Sequence, residues 1–491
     1  MKRIFYKQEG DYIKSFIINE VNTITPYGEK EKANIKIYKK ENIDKLVKEL
    51  NYIENMIKSL KENDKVYDDI QYEFCKTKNI INTIKRLEKK NTLDEIELFE
   101  IKNFAINSNK IIKNYLKLNI DIDYINFKDL DKVVKLLDPD ELNLTTFQIY
   151  SAYSKKLLHI RQNKLNIEKK IFSESNKDTV DKLKVERLEI VVEEEQEELR
   201  IRKALSEKLY NYLNDINENI KSIGKLDLLI AKVKLALKYE AVKPSINNEN
   251  KIFFKELINP NLQTLLDSQN KKYIPISIDI DKKITIISGA NMGGKSVSMK
   301  TIALNLYLFQ CGFYVFAKEA NLCVLDFIYI ISDDMQDINK GLSTFGAEII
   351  KLKEITKLMK LKDGFVALDE FARGTNPIEG RLLLKGICEY FKKYNSISLI
   401  STHLDDINID DVSYYQVIGL KNVDFDGLKR QIDLKIKTGK SSNGVQILQE
   451  YMDYRLEKVT KETKVPKDAI NICKLLGLDN EIVNIIDKLS K

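Results

Sequence analysis

Cysteine and histidine are scarce in this chain. Its 491 residues hold five cysteines, Cys75, Cys311, Cys323, Cys388 and Cys473, with no C-x-x-C pair, and two histidines, His159 and His403. So few ligands, so widely scattered, argue against a zinc site or a disulfide framework, and the thiols read as reduced and cytosolic. A long apolar run is missing as well. The most apolar stretch, Leu304 to Ala317, is interrupted by Asn305 and Gln310 and falls short of the ~20 residues that span a bilayer. The N-terminus, Met1 to Lys7, meets charge again at Glu9 and Asp11 before any signal-peptide core could form. These absences predict a cytoplasmic protein with no membrane segment. Charge of one sign is also lacking: 81 Lys+Arg against 74 Asp+Glu leave +7, which does not by itself announce a nucleic-acid binder.

Proline and glycine are rare from about Lys39 to Tyr239, and apolar residues there recur at helical spacing, as in Leu46, Leu50, Ile53, Ile57 and Leu60. This half is expected to be mostly helix. Its longest helical stretch is expected from about Val180 to Ile220 and carries the acidic run Glu193-Glu194-Glu195-Gln196-Glu197-Glu198, read as a solvated face. A basic helical stretch from Ser154 to Ile171 precedes it across the polar turn Ser173 to Asp178, so the two should form an antiparallel helical hairpin. His159, among Leu157, Leu158 and Ile160, reads as a structural histidine. Pro244, Asn247, Asn248 and then Asn259-Pro260 mark the passage into alternating strands and helices, with a boundary near residue 245. Thr438 to Gly444 reads as a flexible link, and Pro466 to Leu489 as a short helical hairpin broken at Gly477. With 43% hydrophobic residues over this length, two or three domains are expected.

The chemistry is concentrated in the second half. Gly289-Ala290-Asn291-Met292-Gly293-Gly294-Lys295-Ser296 lies between a strand-like run, Ile284 to Ser288, and a helix-like run, Val297 to Phe309. In that setting glycines let backbone N–H groups turn around phosphates, the helix N-terminus favours anions, Lys295 can reach the β/γ-phosphates and Ser296 can ligate Mg²⁺. Phe365-Val366-Ala367-Leu368-Asp369-Glu370 is an apolar strand ending in two carboxylates, where Asp369 can hold the Mg²⁺ shell and Glu370 can polarise the attacking water. Between them, Ser343 and Thr344 precede a helical run and can cap it, aiming its positive end at an anion. After them, Ile397 to Ser401 reads as a buried strand leading through Thr402 to His403, placed to sense the γ-phosphate. P-loop, capped signature helix, carboxylate strand and switch histidine, in that order and without an N-K-x-D tetrad for guanine, describe an α/β ABC-type ATPase using ATP and Mg²⁺.

These four motifs together resemble those of the MutS family. Gly289 to Ser296 resembles its P-loop, Ser343-Thr344-Phe345 its signature acting on the opposite subunit, Asp369 to Thr375 its Walker B extension, and Ser401-Thr402-His403 its switch strand. Ile223 to Leu229 looks like the segment closing the family's core domain, and Ala469 to Leu478 like its C-terminal dimerisation helices. The resemblance implies a helical segment over 1–120, a helical core or lever over 121–245, the ATPase domain over 246–440, and link and dimerisation helices over 441–491. It also implies a homodimer, or a heterodimer with a related subunit. Ala290 stands where the family has proline, and Asn376-Pro377-Ile378-Glu379-Gly380 is closer to the MutS2 branch. Set against that family, the segment before the helical core is expected not to hold the full mismatch-reading domain, and the turn near Ser173 is expected to stand in place of a DNA-embracing clamp. A shortened chain of this kind looks like the ATPases that reactivate adenosylcobalamin-dependent lysine aminomutases, which makes such an aminomutase the first expected client. DNA, favoured by Lys155, Lys156, Arg161, Lys164, Lys169 and Lys170, is the alternative, and a scaffold with a silent site is a third reading.

Overall fold

The computed structural model describes residues 10–141, 148–289, 294–331, 344–373, 375–404, 407–420, 427–430, 452–459, 472–473 and 478–489. Among the described residues ten α-helices come first: α1 (Gly10–Glu20), α2 (Pro26–Ala33), α3 (Ile43–Glu62), α4 (Asp64–Lys76), α5 (Ile81–Glu88), α6 (Glu95–Lys117), α7 (Asp131–Leu137), α8 (Lys155–Ser173), α9 (Lys177–Tyr210) and α10 (Leu213–Lys238). Strands then alternate with helices: β1 (Ser245–Asn247), β2 (Ile252–Leu257), α11 (Pro260–Ser268), β3 (Ile276–Ile280), β4 (Ile284–Ser288), α12 (Lys295–Gln310), β5 (Glu319–Cys323) and β6 (Phe327–Ile331). They are followed by α13 (Thr344–Met359), β7 (Gly364–Asp369), α14 (Pro377–Phe391), β8 (Ile397–Ser401), β9 (Ser413–Gly419), β10 (Asp453–Lys458) and α15 (Asn480–Leu489). The mixed α/β part and the helical N-terminal part thus follow the composition of the two halves. Among the described residues no helix is long and apolar enough to cross a membrane.

The chain forms two compact units, one of residues up to 20, 36–51 and 234 onward, the other of residues 21–35 and 52–233. In the first, a six-stranded sheet runs in the order β10-β9-β4-β8-β7-β6. Every neighbouring pair is parallel except β10 with β9. Strands buried on both faces need apolar residues at nearly every position, and β7 and β8 are buried throughout. A second sheet, β1-β5-β2-β3, is mixed. Asn259 caps α11, its side chain accepting from Leu262 N at 3.3 Å, with Pro260 at the first helical position where its missing N–H costs nothing.

In the second unit α8 and α9 form the expected antiparallel hairpin, tied by Arg187 to Glu168 at 2.7 Å, Arg161 to Glu198 at 2.8 Å and Arg161 to Glu194 at 2.9 Å. Lys164 also pairs with Glu194. The acidic run is therefore not a uniformly solvated face: Glu194 and Glu197 are buried against cations, while Glu193 and Glu195 are exposed. Hydrogen bonds from Arg200 and then Ser154 hold the Glu197 carboxyl down at about 2. His159 is exposed and meets Asn163 at 3.1 Å, so it is a helix-surface residue and not a core one. The long helix also ends sooner than expected, at Tyr210, with Tyr212 N donating to Leu209 O at 2.9 Å before α10 begins. Within α10, buried Asp227 accepts from Thr25 N at 2.6 Å and from Thr25 Oγ1 at 2.7 Å, and burial raises its carboxyl pKa.

Candidate functional site

Parallel strands converge chemistry at their carboxyl ends, where backbone leaves the sheet and loops can face a ligand. Here β4, β8 and β7 are consecutive neighbours, so the P-loop after β4, the Thr402–His403 segment after β8 and the Asp369–Glu370 pair ending β7 share one edge of the sheet.

The P-loop flanks are shaped by backbone that only glycine adopts comfortably. Gly289 has φ +136° and Gly294 has φ +84°, and Gly294 directly precedes α12. A Cβ on Gly294 would lie 2.9 Å from Cδ1 of Tyr454, which β10 supplies from across β9. Ala290, Asn291, Met292 and Gly293 lie outside the described residues. Lys295 opens α12 with its side chain almost wholly buried, donates to Gly289 O at 2.7 Å and approaches Glu370 Oε1 at 3.3 Å. Ser296, the next residue, is half-buried.

Opposite stands the carboxylate turn. Asp369 Oδ1 accepts a 2.5 Å hydrogen bond from Ser401 Oγ, which fixes the orientation of the carboxylate. Glu370 N donates back to Ser401, to O at 3.2 Å and Oγ at 3.0 Å. Glu370 itself sits at φ +48° and Ala372 at φ +64°, sparsely populated backbone for residues with a Cβ. Side-chain anchors hold that conformation: Arg373 pairs with Glu370 Oε2 at 2.9 Å, and Ala372 N donates to Glu348 Oε2 of α13 at 3.0 Å. Phe345 of α13 packs against Phe371 with ring centroids 6.5 Å apart. Thr402 N donates to Ile287 O at 3.0 Å, tying the end of β8 to β4, while His403 is exposed.

Lys295, Asp369 and Glu370 are thereby brought together, with Ser296 beside Lys295. Thr344 begins α13, as the capping pattern implies, but its side chain and all of Ser343 lie outside the described residues, as does Gly374. Ser401 and Arg373 appear in the sequence only as members of motifs, and Glu348 is not singled out there at all. Their roles as anchors depend on contacts from other elements, and a polar residue ending a buried strand was the one local signal for Ser401. Among the described residues no cluster of three or more His, Cys, Asp or Glu side chains could hold a metal by itself. Any cation here would rest on Asp369, Ser296 and oxygens of a ligand.

Residues 285–472 match the family described as MutS domain V. A protein of Caldicellulosiruptor saccharolyticus named Endonuclease MutS2 is 34% identical over 226 residues, covering 45% of this chain and 28% of that protein. The protein of the same name from Acetivibrio thermocellus is 30% identical over 220 residues, covering 45% of this chain and 27% of its own length. That of Finegoldia magna is 29% identical over 296 residues, 60% of this chain and 34% of its own. The chain thus spans about a third or less of these relatives.

Proposed function

We propose that this chain, a member of the MutS family through its residues 285–472, binds and hydrolyses ATP with an ABC-type site and couples the cycle to a nucleic-acid client. The observation that carries the reading is the convergence of Lys295, Asp369 and Glu370 at the carboxyl ends of β4 and β7, the parallel strands on either side of β8, with Lys295 and Glu370 3.3 Å apart. A buried lysine and a backbone loop at a helix N-terminus suit the β- and γ-phosphates. Glu370 is the candidate base that orients the attacking water, and exposed His403 the candidate sensor of the γ-phosphate.

Asp369 fits a cation shell, since Ser401 engages one carboxylate oxygen and fixes the group's direction. Ser296 and Asp369 would hold Mg²⁺, which when bound neutralises charge developing on the phosphate oxygens. Glu370 is held by Lys295 and Arg373. Phosphates that draw Lys295 away would release one of these holds and free Glu370 for water. Ser343 and Thr344 are proposed to complete the site of a second subunit, since the family acts as dimers.

The choice of client rests on the relatives, whose printed name, Endonuclease MutS2, concerns nucleic acid. It favours DNA over the aminomutase expected above. Nuclease activity is not carried over, because the likeness covers only part of those proteins. Two cations of the basic stretch, Arg161 and Lys164, are already paired with glutamates, so binding to short duplex should be weak and fall steeply with salt.

The test is phosphate release from Mg-ATP by the purified chain, with and without duplex DNA across a salt series. Hydrolysis that DNA modulates at low salt and not at high salt is the expected result. Absence of hydrolysis under every condition would defeat the enzymatic reading, and hydrolysis indifferent to DNA would defeat the client.

A further inference from the structure

The turn after β7 sets two residues with a Cβ in left-handed backbone within three positions, Glu370 at φ +48° and Ala372 at φ +64°. Such backbone persists only where its surroundings hold it. Part of the hold comes from inside the turn: Arg373 N donates to Glu370 O at 3.2 Å, and Thr375 donates to Ala372 O through N at 3.1 Å and Oγ1 at 2.7 Å. Part comes from β8, where Ser401 accepts from Glu370 N. A third part comes from α13, whose Glu348 Oε2 accepts from Ala372 N at 3.0 Å.

The contact from α13 differs in kind from the one made by β8. Ser401 ends a strand that is buried throughout and paired on both sides, with β4 and β7, so the sheet sets its position. Glu348 rides on a helix whose nearby residues Phe345, Glu348 and Leu352 are only half-buried. Phe345 and Phe371, with ring centroids 6.5 Å apart and planes inclined by 55°, already join helix to turn, but apolar packing fixes no backbone direction. The Glu348 carboxylate does. It takes the N–H of Ala372, a residue 3% exposed, and a donor left there without an acceptor is costly. Without that oxygen the turn gains by rotating the Ala372 N–H toward another acceptor, and the adjoining backbone that carries Glu370 rotates with it.

We infer that Glu348 is a positioning residue for hydrolysis: it holds the turn in the conformation that presents Glu370, and so makes the seating of α13 a condition of the chemistry. This rests on the ATPase reading proposed above and adds a control to that site. The helix begins at Thr344, about one turn before Glu348, so a contact that shifts this end of α13 acts on the base through a single hydrogen bond. Small displacements suffice, since a catalytic group misplaced by about 1 Å can cost about 100-fold in rate. The effect falls on phosphate release and not on nucleotide affinity, which is proposed to rest on Lys295 and the P-loop.

The experiment measures ATP affinity and single-turnover phosphate release in the full chain and in Glu348→Ala, Glu348→Gln and Glu348→Asp. Gln keeps the reach and an accepting oxygen but loses the charge, whereas Asp keeps the charge and falls one methylene short. Glu348→Ala and Glu348→Asp should each slow release at least about tenfold with affinity within about twofold of the parent, and Glu348→Gln should recover most of the rate lost in Glu348→Ala. In a Glu370→Gln background, Glu348→Ala should slow release no further, because an effect passed through Glu370 is already lost. Matched affinity shows that each variant is folded, and the Gln and Asp pair carries the test if Glu348→Ala does not fold. Parent-like release in Glu348→Ala or Glu348→Asp, affinity lost in step with rate, Gln no faster than Asp, or further slowing on top of Glu370→Gln would each overturn the positioning role while leaving the ATPase reading intact. A parent chain that binds ATP and releases no phosphate would defeat the ATPase reading, and the positioning role with it.

Discussion

The sheet-edge site and the α8–α9 hairpin use the same chemistry, a buried carboxylate held by two cations, to different ends. In the hairpin, Glu194 meets Arg161 and Lys164 from regular helices whose backbone would adopt the same conformation without the contact. At the sheet edge, Glu370 meets Lys295 and Arg373 from backbone with φ +48°, and one of its cations also belongs to the loop proposed above to bind phosphate. The first arrangement costs little to keep and has no competitor. The second is strained, anchored from three other elements, and open to competition by an anion, as expected where a charge pair must open during a cycle.

Removing one lysine from each pair separates the two sites most. Lys295→Ala should lower nucleotide affinity at least about 100-fold, since it removes the grip on phosphate. Lys164→Ala removes a lysine from an equally buried carboxylate and should leave affinity unchanged. Calorimetric titration with a non-hydrolysable ATP analogue reads both, and similar losses in the two variants would break the distinction.

A smaller effect is expected in the hairpin. Arg161→Met leaves Glu194 and Glu198 each without one charged partner and should cost about 1–3 kcal/mol of stability, seen as a lower urea midpoint with ATP hydrolysis per folded molecule unchanged. A drop in hydrolysis without a change in midpoint would give the hairpin pair the role assigned to the sheet edge.

How much of this could be read in advance depended on distance along the chain. The runs Ile284–Ser288, Gly364–Asp369 and Ile397–Ser401 were legible as buried strands because burial on both faces demands continuous apolar residues. Lys295, Asp369 and Glu370 were legible because their types and spacing follow from phosphate chemistry. The anchors of the turn after β7 were not: Ser401, which holds Glu370 N, lies 31 positions away, Glu348, which holds Ala372 N, lies 24 positions away, and nothing local marks Glu370 as left-handed backbone. The association of residues up to 20 and 36–51 with the unit that begins at 234 was equally hidden, since it rests on contacts such as Tyr314 Oη to Leu50 O at 3.4 Å and Phe16 against Phe316. The helix break at Asn211–Tyr212 carries neither glycine nor proline, and the pairing of the acidic run with the basic one becomes visible only once the hairpin register is fixed.

The smallest predicted effect concerns pH. Glu197 is held at about 2 against an ordinary 4.5, by Arg200 and then Ser154. A depressed folded-state value means that the carboxylate contributes stability above its unfolded pKa and loses it as pH falls through the folded one. Between pH 4.5 and about 2 the urea midpoint should therefore fall less steeply in Glu197→Gln than in the parent chain. Identical slopes would show that the contact is not titrating with folding.

The strained turn after β7 is proposed to present Glu370 as the base that activates water, with Lys295 gripping the phosphates. The most direct measurement compares ATP affinity and single-turnover phosphate release in Glu370→Gln and the parent chain. Retained ATP binding with phosphate release lowered by at least about 100-fold is the predicted result. Release at the parent rate, with binding intact, would contradict the account.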